Sequence, residues 1–179
     1  MRVFIVVVSL VAGSAIAVRG QSTLNGKLET QLERLFPTAT EFSPKQPTPP
    51  HFKAYATTAS GERRLLGVAF WTTELDPLER GYDGPIKILV GMNMSGVLTG
   101  VVVAEHHEPY GYFSVDRKQF AEQFVDKDIR DAFKVGADVD AVSRASISIA
   151  SATRAIRNSA RRVARQLLLS PAEPPATAK

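Results

Sequence analysis

The residues best suited to chemistry lie in one short run, Asp138-Val-Asp140-Ala-Val-Ser143-Arg144-Ala145-Ser146-Ile-Ser148, where acids and hydroxyls lead into a helical pattern. Serine and aspartate at such a boundary cap the first amides of a helix. The same amides attract phosphate, so the run reads either as ordinary capping or as an anion site, and capping is the simpler reading. A second group, Gly81-Tyr82-Asp83-Gly84-Pro85, joins an aromatic ring to two glycines whose backbone can approach a planar ligand. By residue type it is first of all a tight turn. A third group, Glu105-His106-His107-Glu108-Pro109, sets paired histidines between acids where an apolar strand ends. Neighbouring side chains on an extended segment face opposite ways, so only one imidazole can aim at a given site. A closed zinc site needs about four ligands. His51 is the only other histidine, so the pair reads as a hydrogen-bonding partner of a neighbour or a ligand.

The elements that must position these groups follow from hydrophobic periodicity. Leu24, Leu28, Leu32 and Leu35 recur at helical spacing, which predicts an amphipathic helix over Ser22 to Phe36, stopped by Pro37. The proline-rich stretch from Ser43 to Pro50 can sustain neither a helix nor a central strand. Two hairpins follow: His51–Thr58 with Arg64–Thr73, turning at Ala59-Ser60-Gly61-Glu62, and Ile86–Met92 with Val97–Glu105, turning at Asn93-Met94-Ser95-Gly96. Glu74 to Pro85, with its prolines and glycines, is a loop beside that sheet, where binding groups are often placed. Phe120, Phe124, Ile129 and Phe133 mark short helical pieces, with Asp116 as an N-cap. A last helix over Ser151 to Leu169 shows Ala152, Ile156, Ala160, Val163 and Leu167 on one face and Arg154, Arg157, Arg161 and Arg165 on another. Arginines in that pattern are usually a solvated face. Phe70 and Trp71 fall in a strand and read as core.

With 179 residues and 44% hydrophobic content, one domain with a real core is expected. Arg2, the apolar run Val3 to Val18 and Ala15-Ile16-Ala17 have the layout of a secretory signal peptide. The run is shorter than the ~20 residues a spanning helix needs, so cleavage is expected in preference to an uncleaved membrane anchor. There is no cysteine, which removes disulfides, zinc–thiolate sites and iron–sulfur clusters from consideration. Any redox chemistry must come from an organic cofactor or a haem. A net charge of +4 is too mild to point to nucleic acid.

Taken in order along the chain, these pieces resemble the FMN-binding domain of quinone-reductase and Rnf flavin subunits, and more closely the periplasmic N-terminal domain of NosR-type proteins. The resemblance runs from about Leu35 to Ala164. It is carried by Phe36-Pro37, Pro50-His-Phe-Lys-Ala-Tyr55, Leu66-Gly67-Val-Ala-Phe70-Trp-Thr-Thr73, Gly81-Tyr82-Asp-Gly84-Pro85-Ile86, Thr99-Gly100-Val, Glu105-His106-His107-Glu108-Pro109, Val139-Asp140-Ala-Val-Ser143 and Ser159-Ala-Arg161-Arg-Val-Ala164. In that family a flavin transferase esterifies the FMN phosphate to a hydroxyl in the motif Asp-x-x-Ser/Thr-Gly-Ala-Thr/Ser. Asp140-Ala-Val-Ser143-Arg144-Ala145-Ser146 occupies it here, so the resemblance implies Ser146 as acceptor. The usual threonine is a serine, which keeps the hydroxyl. The usual glycine is Arg144, which takes φ > 0 less readily, and which either pairs with the phosphate or obstructs the transferase.

The resemblance therefore implies an α+β fold, a twisted antiparallel sheet with packed helices. FMN would lie with its phosphate at the start of the final helix and its ring near the 81–85 loop. Ser146 is the implied anchor, Asp140, Ser143 and Ala145 the rest of the motif, and Tyr82, Gly84, Glu105 and His106 the lining residues. The organisation expected is a signal peptide over 1–20, the FMN-binding domain over 21–169 and a disordered tail over 170–179. The expected function is an exported, periplasmic electron carrier. It would be loaded by a flavin transferase and would serve a membrane or periplasmic redox partner, with no nucleic-acid role. The rival readings are a flavin-free or noncovalent sensor or assembly factor for an exported redox enzyme, and a small flavin reductase or oxidase.

Overall fold

Strict alternation of side chains on two long hairpins produces a sheet that is buried on both faces. The computed structural model describes residues 25–168; the signal peptide and tail read from the sequence lie outside the described residues. The strands are β1 (Glu41–Phe42), β2 (Gln46–Pro47), β3 (Pro50–Thr57), β4 (Arg63–Trp71), β5 (Lys87–Asn93) and β6 (Leu98–Glu105). All pairings are antiparallel in the order β1-β3-β4-β5-β6, with β2 also on β3. The helices are α1 (Gly26–Leu35), α2 (Thr72–Leu75), α3 (Lys118–Glu122) and α4 (Ser146–Leu167). This is the expected α+β architecture.

On β4, Val68 and Phe70 turn to one face while Ala69 and Trp71 turn to the other. The first face, continued by Ile88, Val90, Met92 and Leu98, receives Ile149, Ala152, Ile156, Ala160 and Val163 of α4. Those α4 positions follow the three-to-four spacing that lays one stripe along a helix. Phe120, Phe124 and Phe133 complete this layer, with Phe120 and Phe124 edge to face at 5.1 Å. The opposite face carries Phe52, Ala54, Leu89 and Val102, covered by Leu32, Leu35 and Phe36 at the end of α1. Each large apolar side chain so removed from water contributes roughly 1.5–3 kcal/mol. Phe70 and Trp71 are core residues, as their strand position predicts.

Several boundaries differ from the sequence expectation. Asn25 caps α1, its side chain accepting from the Lys27 amide at 3.0 Å. The proline-rich crossing holds the short strand β2 at the sheet margin, where proline is tolerated. β4 ends in the short helix α2, whose Thr72 hydroxyl accepts from the Ile88 amide at 3.1 Å. Arg117, not Asp116, stands at the N-cap position of α3, with no side-chain cap bond. Ile129 and Phe133 lie in a loop closed by Asp138, which accepts from the Phe133 amide (2.9 Å) and from Lys127 Nζ (3.0 Å). α4 begins at Ser146, five residues before the expected start at Ser151. Two arginines of the expected solvated face are structural: Arg154 forks onto Glu79 (3.1 and 2.7 Å), and Arg161 holds the carbonyls of Ile129 and Asp131 (2.8 and 2.7 Å), whereas Arg157 reaches only its neighbour Asn158 and Arg165 is exposed. No helix of the described residues is long and apolar enough to cross a membrane.

Candidate functional site

Three loops converge on the first turn of α4, and one carboxylate joins them. Glu108 follows β6 in the turn at 106–113 and is 6% exposed. Its Oε2 accepts from the Tyr82 amide and its Oε1 from the Asp83 amide, both at 3.0 Å. Ser148 Oγ–H donates to the same Oε2. Burial pushes the Glu108 carboxyl upward, but the bonds from Ser148, Asp83 and Tyr82 outweigh it and leave the group below the ordinary carboxylic range. Gly81 is required by this arrangement: a Cβ there would collide with the Glu108 carboxylate. The loop closes on itself through the Gly81 amide and the Gly84 carbonyl at 2.7 Å, with Gly84 at φ +126°.

His106 supports the turn from behind. Its Nδ1 accepts from the Glu108 amide at 3.0 Å, so the proton sits on Nε2, which donates to Asp116 Oδ1 at 2.8 Å. Gly111 packs against the imidazole with no room for a Cβ. His107 is exposed, and no group of three His, Cys, Asp or Glu among the described residues is arranged to hold a metal ion.

The start of α4 departs from the capping pattern that its serines predict. Ala145 occupies the N-cap position, and no side chain caps the first amides. Arg144, just before it, is held at φ +67°, the left-handed region that an L-residue enters at a cost of about 1–2 kcal/mol. The backbone path is thus one that glycine would take freely, and this chain follows it with arginine. Ser146 and Ile147 are exposed, whereas Ala145 and Ser148 are buried.

Between these parts lies a cavity of about 310 Å³, lined by Tyr82, Pro109 and Tyr110 on one side and by the 144–148 segment on the other. Ligand sites start at about this size. Tyr82 and Tyr110 are 70% and 45% exposed, so their rings stand at the mouth. Of the sequence-derived candidates, Tyr82, Ala145 and Ser146 line this space. Gly84 shapes the loop and His106 braces the turn, but neither lines the cavity. Ser143 is exposed one step outside it, and the Asp140 amide is engaged with Gln123 Oε1 at 2.6 Å. Glu105 is exposed at the end of β6, 3.9 Å from Lys87 Nζ. Sequence reasoning did not single out Glu108, Tyr110 or Ser148 as site residues. Only the placement of Glu108 in the 105–109 motif could have signalled the first.

A larger cavity of about 470 Å³ lies along β6, away from this constellation. No curated protein sequence matches the chain. Residues 81–161 match the family model described as the FMN-binding domain, a span that runs from the Gly81 loop through β5, β6 and the Glu108 turn into α4. All four parts of the constellation fall inside it. Over residues 81–161, then, the chain is similar to the FMN-binding domain family.

Proposed function

We propose that this protein is an exported electron carrier whose FMN is esterified through its phosphate to Ser146 Oγ. The observation that carries this reading is the exposed Ser146 hydroxyl at an uncapped helix start, inside the cavity walled by Tyr82, Pro109 and Tyr110. The residues present fit the group. Uncapped first-turn amides and the Arg144 guanidinium suit a phosphate, and two tyrosine rings at the mouth suit a planar ring system. FMN when bound supplies the redox chemistry, and the chain supplies binding and orientation. Ser146 and the α4 amides hold the phosphate end, while Glu108 fixes the 81–85 loop against α4 so that both ends of the site keep their spacing.

Attachment requires a flavin transferase that presents FMN as a phosphoanhydride. The Ser146 oxygen forms the new P–O bond as the anhydride P–O bond breaks, and the hydroxyl proton leaves with the departing phosphate. Retention of the left-handed backbone at Arg144 favours a motif still shaped for that enzyme. The apolar N-terminal run with Ala15-Ile16-Ala17 supports export to the periplasm, and a tethered cofactor suits a compartment in which a free one would be lost. With no cysteine among these residues to hold an iron–sulfur cluster, the electron partner in this reading is a redox centre at the membrane or in the periplasm.

The test is intact mass of the full chain produced with an exported flavin transferase, beside Ser146→Ala. The wild type is expected to lose the signal segment and gain the mass of one FMN phosphoester, with yellow colour surviving denaturation, and Ser146→Ala is expected to gain none. Yellow protein without an adduct would assign noncovalent binding. Colourless protein under the same conditions would assign the flavin-free sensor or assembly role instead.

A further inference from the structure

The sheet ends in an edge that nothing among the described residues completes. β6 is last in the strand order. At its first residue the ladder does continue: the Leu98 amide donates to the Lys127 carbonyl and the Asp126 amide donates to the Leu98 carbonyl, both at 2.9 Å. An antiparallel bridge pairs Val97 with Asp128. Beyond Leu98 this short mimic of a seventh strand stops, and no described residue outside β5 hydrogen-bonds to the backbone of 99–105. Open edges are normally blunted by lysine, proline, a bulge or a covering element; β6 shifts register against β5 at Thr99 and Ala104, but the run between them, Gly100-Val-Val-Val103, is regular and apolar.

The cavity of about 470 Å³ runs along this edge, between Leu35 at the end of α1 and Ala121 and Val125 beside α3. Val125 is 48% exposed there. Thr99 also lines the groove, and its hydroxyl is buried against Gly91 of β5 without a hydrogen-bond partner. Of the charged residues along the groove, Lys118 and Glu122 pair with each other at 2.8 Å, and Asp116 accepts from the neutral His106 imidazole and keeps its charge, so cations outnumber carboxylates there by three to two. Arg34 and Arg117 remain as exposed cations with no carboxylate partner among the described residues, one on each wall.

We propose that the β6 edge is a docking site for an extended acidic segment of a partner protein, which adds to the sheet as a strand. Main-chain hydrogen bonds to Gly100–Ala104 supply the affinity, with apolar side chains entering the groove at alternate positions. Carboxylates on the segment meet Arg34 and Arg117, which selects an acidic partner over a neutral or basic one. A strand so placed extends the pairing that residues 126–128 begin.

The test uses the full-length ¹⁵N-labelled chain and a short synthetic peptide alternating valine with glutamate, with a valine–lysine peptide as control. The glutamate peptide is expected to slow hydrogen exchange of the 100–104 amides that face the groove by about tenfold or more. The lysine peptide is expected to leave them unchanged. The charge reversal Arg34→Glu with Arg117→Glu, at two exposed side chains, should invert this preference while the melting curve stays in place. Absence of slowing, or equal slowing by both peptides, would overturn the proposal. So would protection in peptide-free protein, whether concentration-dependent, which assigns the edge to a second copy, or abolished by removing residues 1–24, which assigns it to the chain's own N-terminal segment.

Discussion

Glu108 holds two segments that lie 26 and 40 positions away from it in the sequence. A carboxylate accepts from three donors where an amide cannot, because the NH₂ of glutamine would face an N–H or O–H donor. Glu108→Gln is therefore expected to cost about 2 kcal/mol in urea unfolding, the worth of hydrogen bonds to a buried charged acceptor. It should also weaken flavin retention, read as the fraction of yellow protein. Arg144 presents the opposite case, a residue whose own backbone is strained at φ +67°. Arg144→Gly relieves that strain and should raise stability by about 1 kcal/mol, measured by the same unfolding curves. If the guanidinium also pairs with the phosphate, the variant loads flavin less completely despite its greater stability. At this scale the sequence was only partly readable: the motif singled out Ser146, which does line the cavity, whereas the role of Glu108 exists only once the fold brings Tyr82 and Ser148 to it.

The long elements were legible because each repeats one period for two turns or four residues. The two hairpins and the stripe on α4 are of that kind. The elements missed are short or depend on distant partners. β1 and β2 have two residues each and exist only by pairing with β3. The first turn of α4 falls before the helix expected from the sequence because its serines look like caps, yet Ser148 spends its hydroxyl on Glu108 and Ala145 takes the cap position. The loop before α4 is held chiefly by Asp138, which accepts from the Phe133 and Lys134 amides and from Lys127, whose side chain is only 10% exposed. Asp138→Ala leaves that ammonium with only the residue-138 carbonyl (3.0 Å) and no countercharge, and removes the acceptor of two amides. A loss of about 3 kcal/mol in the unfolding free energy is expected.

For the molecule as a whole, His51 and several carboxylates titrate lower in the folded than in the unfolded chain, and these groups all withdraw stability as pH falls. Burial pushes His51 down, so below about pH 6.5 the unfolded chain binds a proton that the fold resists. The Arg154 guanidinium holds Glu79 below the usual carboxylate range. Glu108 and Asp138 are also lowered: burial opposes the shift in each, and their hydrogen bonds outweigh it. Their contribution is complete above the unfolded carboxylate values, about pH 4, and is lost as pH falls through the lower folded values. Urea midpoints should therefore decline gently from about pH 6.5 and steeply below about pH 4, and Glu108→Gln should flatten part of the steep limb.

α4 is the last described helix to leave the ribosome, and it serves two structures at once. Its stripe closes the hydrophobic layer over the sheet, and its first turn carries the Ser146 hydroxyl into the cavity. Until α4 docks, Glu108 has no Ser148 to grip, and Ser146 has no wall of tyrosines opposite it. With Ser146 as the proposed acceptor, cofactor loading would be tied to time as well as to place. A chain still folding when a transferase met it would offer no finished acceptor, so the coloured molecules in a population would be those whose folding had gone to completion.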